Sequence, residues 1–207
     1  MNDRRRNIVN KVLEARQPDV TLILEDVEDP HNVAAILRSA DSVGLMEIFV
    51  VDTQGKMPAK PFGYRSSSGS VKWVAIHLFD DLDKCLQQVR QKYPLILATH
   101  LSPRSQSLYQ TNLAQPVAIA FGNECRGCSP RLVAASDGTL HIPQVGMAKS
   151  LNVSVACAVV LYEAFRQKKE AGHYDKPRLQ PHEMLRLRAA WGDYEAIKQL
   201  NNITSYD

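Results

Sequence analysis

No apolar run in the chain is long enough to cross a bilayer, which excludes a helical membrane protein. The opening residues, MNDRRRNIVNKVLEARQPD, carry charge where a secretory signal would carry an apolar core, so an intracellular, cytoplasmic protein is expected. Cysteine is scarce: Cys85, Cys125, Cys128 and Cys157 are the only four. Cys125 and Cys128 form a lone C-x-x-C. A zinc site needs a second pair of ligands, which the sequence does not offer, so no metal is expected and the two read as incidental residues of a turn. No G-x-G-x-x-G follows the first strand and no G-x-x-x-x-G-K-[ST] occurs, which argues against a standard dinucleotide site and a P-loop. A G-x-S-x-G nucleophile elbow is also missing. There is no internal repeat and no low-complexity tract.

What is present is a chain of 207 residues with 44% hydrophobic content, enough for one domain with appended ends. The expected divisions are a helical extension over 1–19, a core over 20–170 and a second helical extension over 171–207. Net charge is only +3, but basic residues gather at both ends: Arg4, Arg5 and Arg6, then Lys168, Lys169, Lys176, Arg178, Arg186 and Arg188. Such clusters are either phosphate-binding surface or solvated helical faces.

Short apolar segments predict strands over 20–24, 47–51, 72–78, 95–98, 117–121 and 140–142. Between and around them helices are expected over 4–15, 33–43, 80–92, 129–135, from Asn152 onward, and 181–200. Strands alternating with helices give an α/β domain, a mainly parallel sheet with helices on both faces. A Gly-, Pro- and Ser-rich loop over 52–70 carries Lys56, Lys60 and Arg65, and a basic loop of that length is often functional. Ligands of such sheets sit beyond the carboxyl ends of the strands. Three segments there are expected to meet: Thr99-His100-Leu101, Gly122-Asn123-Glu124, and Pro143 to Asn152.

Two stretches say more. Val33, Ile36, Leu37, Ala40 and Val43 make an apolar stripe at helical spacing, with Pro30 and Asn32 as start signals and Gly44 as the stop. Arg38 projects nearly opposite that stripe, toward solvent, a partner subunit or a phosphate. From Ile142 to Arg166 a polar loop runs into a segment apolar on every side, which predicts a buried helix. Ser150 and Asn152 are both suited to cap its first turn.

PHNVAAILRSADSVG, AFGNECRG and IPQVGMAKSLNVSVACAVVLYEAFRQ resemble, in order, the three motifs of the SpoU family of RNA 2′-O-ribose methyltransferases. RQPDVTLILEDVEDPHN and AGHYDKPRL are similar to its TrmH branch, whose members methylate a tRNA guanosine. The likeness runs from about Arg16 to Leu179. It implies a deep C-terminal trefoil knot, which no sequence pattern would propose unaided, together with S-adenosylmethionine as cofactor, tRNA as partner and a homodimer. The resemblance places the cofactor loops at Thr99, His100 and Leu101; at Gly122, Asn123, Glu124, Cys125 and Arg126; and at Ile142, Gln144, Gly146 and Leu151. The matching catalytic positions are Asn32, Arg38, Glu124, Ser150 and Asn152. Methylation of the D-loop guanosine is the implied activity. Another tRNA site, ribosomal RNA, or a non-catalytic RNA-binding role are the alternatives.

The family assigns the position of Arg38 as general base, yet a guanidinium stays protonated and has no acceptor. A phosphate clamp that stabilises developing alkoxide charge suits it better. Asn32 is expected to cap the helix that carries Arg38, and the active site is expected to be shared between subunits. Two departures stand out: Gln144 replaces a usual apolar Met, and CRGC is richer in cysteine than the usual second motif.

Overall fold

The computed structural model describes residues 1–56, 72–148 and 150–204, with the last four as backbone only. The expected basic loop therefore shows Lys56, while Lys60 and Arg65 lie outside the described residues. Seven strands form one sheet: β1 (Val20–Glu25), β2 (Glu47–Val51), β3 (Ala75–Phe79), β4 (Leu95–Thr99), β5 (Gln106–Ser107), β6 (Val117–Phe121) and β7 (Gly138–His141). Their order is β3-β2-β1-β6-β4-β7-β5, and every pairing is parallel. The central strands β1 and β6 are buried at every residue, as their unbroken apolar runs require of strands covered on both faces. β6 lies between β1 and β4, and β7 between β4 and β5, so the chain returns twice into sheet already laid down.

Alternation along each strand divides the core in two. Leu22, Leu24, Ile48 and Val50 face α2 (Pro30–Ser42) and α5 (Val153–Glu170). Ile23, Phe49 and Val51 face α3 (Leu82–Arg90) and α4 (Pro130–Ala135). A third cluster joins the two chain ends: Val9 and Leu13 of α1 (Asp3–Glu14) pack with Leu179 and with Met184, Leu187 and Trp191, on or next to α6 (Pro181–Ala190). The two chain ends thus pack as one layer.

Charge fastens that layer to the core. Asp19, just before β1, pairs with Lys168 at 2.9 Å and Arg178 at 3.0 Å, with His173 at 3.7 Å. Lys168 is fully buried and also donates to the Ala114 carbonyl at 3.2 Å. Burial pulls its ammonium below the ordinary lysine range, against the pull of Asp19. Arg16, also buried, donates to the Leu45 carbonyl at 2.6 Å and to Asp41 at 2.8 Å, and lies 5.3 Å from the Trp191 ring. Lys168 and Arg178, along with Arg188 on Asp193, are therefore internal anchors, while Arg4 and Arg5 are exposed.

Several elements depart from expectation. The strand foreseen over 72–78 begins at Ala75; Trp73 lies outside it and packs edge-on against Trp191, centroids 5.0 Å apart. The strand foreseen over 140–142 runs from Gly138 to His141, and two-residue β5 is too short for any periodicity to announce. The single helix over 181–200 is two, α6 and α7 (Tyr194–Thr204), because Gly192 adopts a left-handed φ of 85° that ends α6. The helix foreseen as buried on all sides, α5, leaves Val155 48% and Tyr162 53% exposed. Its composition shows no polar face because the uncovered face is apolar too.

Candidate active site

Because the strands are parallel, the carboxyl ends of β4, β6 and β7 share one edge, and the loops that leave them surround a cavity of about 480 Å³. That size is in the range of small-molecule sites. β4 supplies Thr99, His100 and Leu101; the β6 loop supplies Gly122, Asn123, Glu124, Cys125 and Arg126. Ile142 and Gln144 follow β7, and Ser150 and Leu151 precede α5. Gly146 is not in the lining; it belongs to an exposed stretch whose Val145 and Met147 are bare. Phe121, Leu140, His141, Val153 and Ala156 also line the cavity, and the sequence reading missed them. They end strands or begin the helix, so their side-chain direction depends on a register that only the sheet sets.

The β6 loop is tightly folded for a visible reason. A Cβ on Gly122 would stand 2.1 Å from the Gly127 carbonyl and the Cys128 nitrogen, so only glycine lets the loop fold back so closely. Asn123 closes the turn: its backbone exchanges hydrogen bonds with Gly127 at 3.1 and 2.8 Å. Its Oδ1 accepts from the backbone of Cys125 at 3.0 Å and Arg126 at 3.2 Å, and its Nδ2 donates to the Asp26 carbonyl at 2.9 Å. Cys125 is exposed and Cys128 is buried; both are free thiols, and burial pushes Cys128 up to about 11. No group of side chains suited to hold a metal occurs among the described residues.

Beside the cavity runs a chain of hydrogen bonds through three predicted catalytic positions. Asn152 Nδ2 donates to Asn32 Oδ1 at 3.0 Å, and Asn32 Nδ2 donates to Glu124 Oε1 at 3.0 Å. Asn152 also caps α5, as expected, accepting from the Ser154 backbone at 2.8 Å. Asn32 does not cap α2. Asp29 does, accepting from the His31 backbone at 2.8 Å, while Asn32 sits inside the first turn, only 8% exposed. The start signals in DPHN identify the helix end but not which polar residue closes it. Glu124 also accepts from the backbone of Glu28 at 3.3 Å and Asp29 at 3.4 Å. Desolvation raises its pKa, but Asn32 and these backbone donors outweigh that and hold the carboxyl below its ordinary value.

Arg38 stands apart. It is exposed, as its position opposite the apolar stripe requires, and makes no ion pair among the described residues. It lies six residues beyond Asn32 on α2, about 9 Å along the axis, and outside the cavity lining.

The SpoU rRNA methylase family matches residues 19–162, which carry every strand and the first half of α5. The chain belongs to the SpoU methylase family. As a member it is an S-adenosylmethionine-dependent RNA 2′-O-ribose methyltransferase. It is 41% identical over 187 residues to the tRNA (guanosine(18)-2′-O)-methyltransferase of Thermus thermophilus, covering 90% of this chain and 95% of that one. The crystal structure of the TrmH/SpoU tRNA modifying enzyme of A. aeolicus superposes with a TM-score of 0.83 at 35% identity, covering 93% of this chain and 98% of the other. The SpoU methyltransferase AviRb of Streptomyces viridochromogenes, solved in complex with AdoMet, aligns at TM-score 0.66 and 26% identity over 76% of this chain and 60% of its own.

This SpoU chain has a cavity that suits the cofactor. Leu101, Leu140, Ile142, Leu151 and Val153 would offer an apolar bed for an adenine. The polar side of the cavity, at Thr99, His100, Glu124 and Ser150, offers acceptors and donors for a charged amino-acid tail.

Proposed function

We propose that this SpoU methylase modifies the D-loop guanosine of tRNA, the guanosine 18 named for its relatives, on the ribose 2′-hydroxyl. The observation that carries this reading is the reach of the similarity. The tRNA (guanosine(18)-2′-O)-methyltransferase of Aquifex aeolicus aligns over 95% of the chain, well beyond residues 19–162, and so takes in the end extensions that the family match leaves out. We read residues 1–19 and 171–207 as those extensions, around a catalytic core over 20–170. The two returns of the chain into the sheet support a C-terminal trefoil knot.

Bound S-adenosylmethionine supplies a sulfonium-activated methyl group at the cavity. The chain has to position the ribose oxygen in line with that methyl and stabilise the charge that develops on it. Arg38 clamps the phosphate next to the target ribose and stabilises the charge that develops on the 2′-oxygen as its proton passes to water. Glu124 is a weak proton acceptor because hydrogen bonds from Asn32 and two backbone N–H groups lower its affinity for a proton. It serves instead as the fixed end of a hydrogen-bonded chain that holds Asn32 and Asn152 beside the cavity. Ser150, on the rim, faces the ribose-phosphate backbone.

Arg38 lies outside the cavity lining with no ion-pair partner among the described residues, and α5 leaves an apolar face at Val155 and Tyr162 uncovered. We therefore assign a homodimer in which that face is buried and each active site draws on both subunits. No helix among the described residues is long and apolar enough to cross a membrane, which fits work on tRNA in the cytoplasm. The test is methyl transfer from labelled cofactor to unmodified tRNA, with the product mapped by nuclease digestion and mass spectrometry. A 2′-O-methylguanosine at position 18 is expected. Label at another nucleotide would overturn the site, and label only in ribosomal RNA would overturn the substrate.

A further inference from the structure

A second pocket, of about 380 Å³, opens at the opposite edge of the sheet, where Trp73 precedes β3 and Arg16 precedes β1. Arg5, Lys72, Trp73, Trp191 and Gly192 line it. Two features set it apart from the ion-paired layer around it. Its aromatic wall consists of both tryptophans of the chain, each only part-buried and set edge to face. Its rim carries Arg5, which is exposed and makes no ion pair among the described residues, although Asp3 and Asp193 are near enough to engage its neighbour Arg6. An indole wall beside an uncommitted guanidinium is the chemistry that takes a nucleobase and its phosphate.

We propose that this pocket is a second RNA subsite: it holds one unstacked nucleotide of the substrate, distant from the one methylated, with the base on the tryptophan wall and the phosphate at Arg5. The proposal deepens the reading of the chain as a tRNA-modifying enzyme. It gives the fused end extensions a role that the catalytic core alone cannot perform.

Because no tryptophan lines the cofactor cavity, tryptophan emission reports on this pocket alone. The full chain, saturated with S-adenosylmethionine, is titrated with an unmodified tRNA transcript, a single-stranded oligoribonucleotide and AMP. Emission should be quenched by both RNAs, and by AMP far more weakly. Arg5→Glu should weaken tRNA binding about tenfold and lower the slope of log affinity against log salt by roughly one. Trp73→Leu, which keeps apolar bulk, should weaken it about as much, and calorimetry should find cofactor affinity unchanged in both variants. RNA binding without an emission change, or an Arg5→Glu variant with unaltered affinity and slope, would overturn the proposal. Quenching by AMP at the same affinity would reassign the pocket to free nucleotides. These readouts are separate from product mapping: methylation of guanosine 18 with silent tryptophans sinks the subsite alone, while methylation elsewhere with quenched tryptophans sinks only the target assignment.

Discussion

The two edges of the sheet are built from different materials. At the carboxyl edge the loops are exposed, and polar side chains hold one another by neutral or singly charged hydrogen bonds, as in Asn152–Asn32–Glu124. At the amino edge each ion pair holds at least one buried charge, as in Lys168–Asp19–Arg178 and Arg16–Asp41. The contrast separates two tasks. A site that must admit a cofactor and an RNA keeps its groups near water and on loops. A junction that must keep two chain ends on the core uses groups whose separation would leave a charge unpartnered.

That contrast can be broken at its strongest point first. Asp19→Ala leaves Lys168 and Arg178 facing a vacancy and should cost about 3–5 kcal/mol of stability, read by urea denaturation, while the folded fraction keeps its cofactor affinity. An equal loss of cofactor binding in the folded protein would show that the two edges are not independent. Next, Gly122→Ala forces the β6 loop away from its own return at Gly127 and Cys128. Cofactor affinity by calorimetry should fall at least tenfold, with about 1–3 kcal/mol of destabilisation from overpacking.

Arg38→Lys keeps the charge but not the fork. Methyl transfer should fall roughly 10- to 100-fold with cofactor affinity within twofold of normal, and near-full activity at every pH would rule out a need for bidentate geometry. Glu124→Gln tests the acid side. The Glu124 carboxyl is held low, so its contribution to stability is present above the ordinary carboxylate range and is lost as pH falls through its depressed value. The variant should be less stable than the parent near neutrality, and the gap should close as pH falls from the ordinary carboxylate range through the depressed Glu124 value. A gap that stays constant until the protein unfolds in acid would mean the charge is irrelevant. The smallest effect is expected from Gln144→Met, which restores an apolar wall to the cavity; cofactor affinity should change by no more than about threefold.

Legibility followed the range of the forces involved. Helix caps and stripes act within a few residues, so Asn152 and the α2 stripe could be read directly, and Arg38 could be placed on the outer face of its helix. The three loops at the strand ends were legible as a group because parallel strands bring their carboxyl ends to one edge. The partners of Asn32 were not: its contacts to Glu124 and Asn152 span 92 and 120 residues, and nothing local marks it as a bridge rather than a cap. Lys168 and Arg178 looked like surface charge because a basic residue shows its counter-ion only when the chain folds Asp19 against it. The break at Gly192 lay within a continuous helical pattern, where one glycine could equally have been tolerated.

By itself the sequence determined the α/β class, the helix that presents Arg38, the loops that form the cavity and, through three ordered motifs, the family chemistry. Each of these depends on local pattern or on the order of segments along the chain. The tertiary structure alone decided the insertion of β6 and β7 into the sheet, the bridge through Asn32, the buried charges that join the ends and the meeting of Trp73 with Trp191. Those are contacts between residues far apart in the chain, and their partners are selected only when the whole sheet and its covering helices close around them.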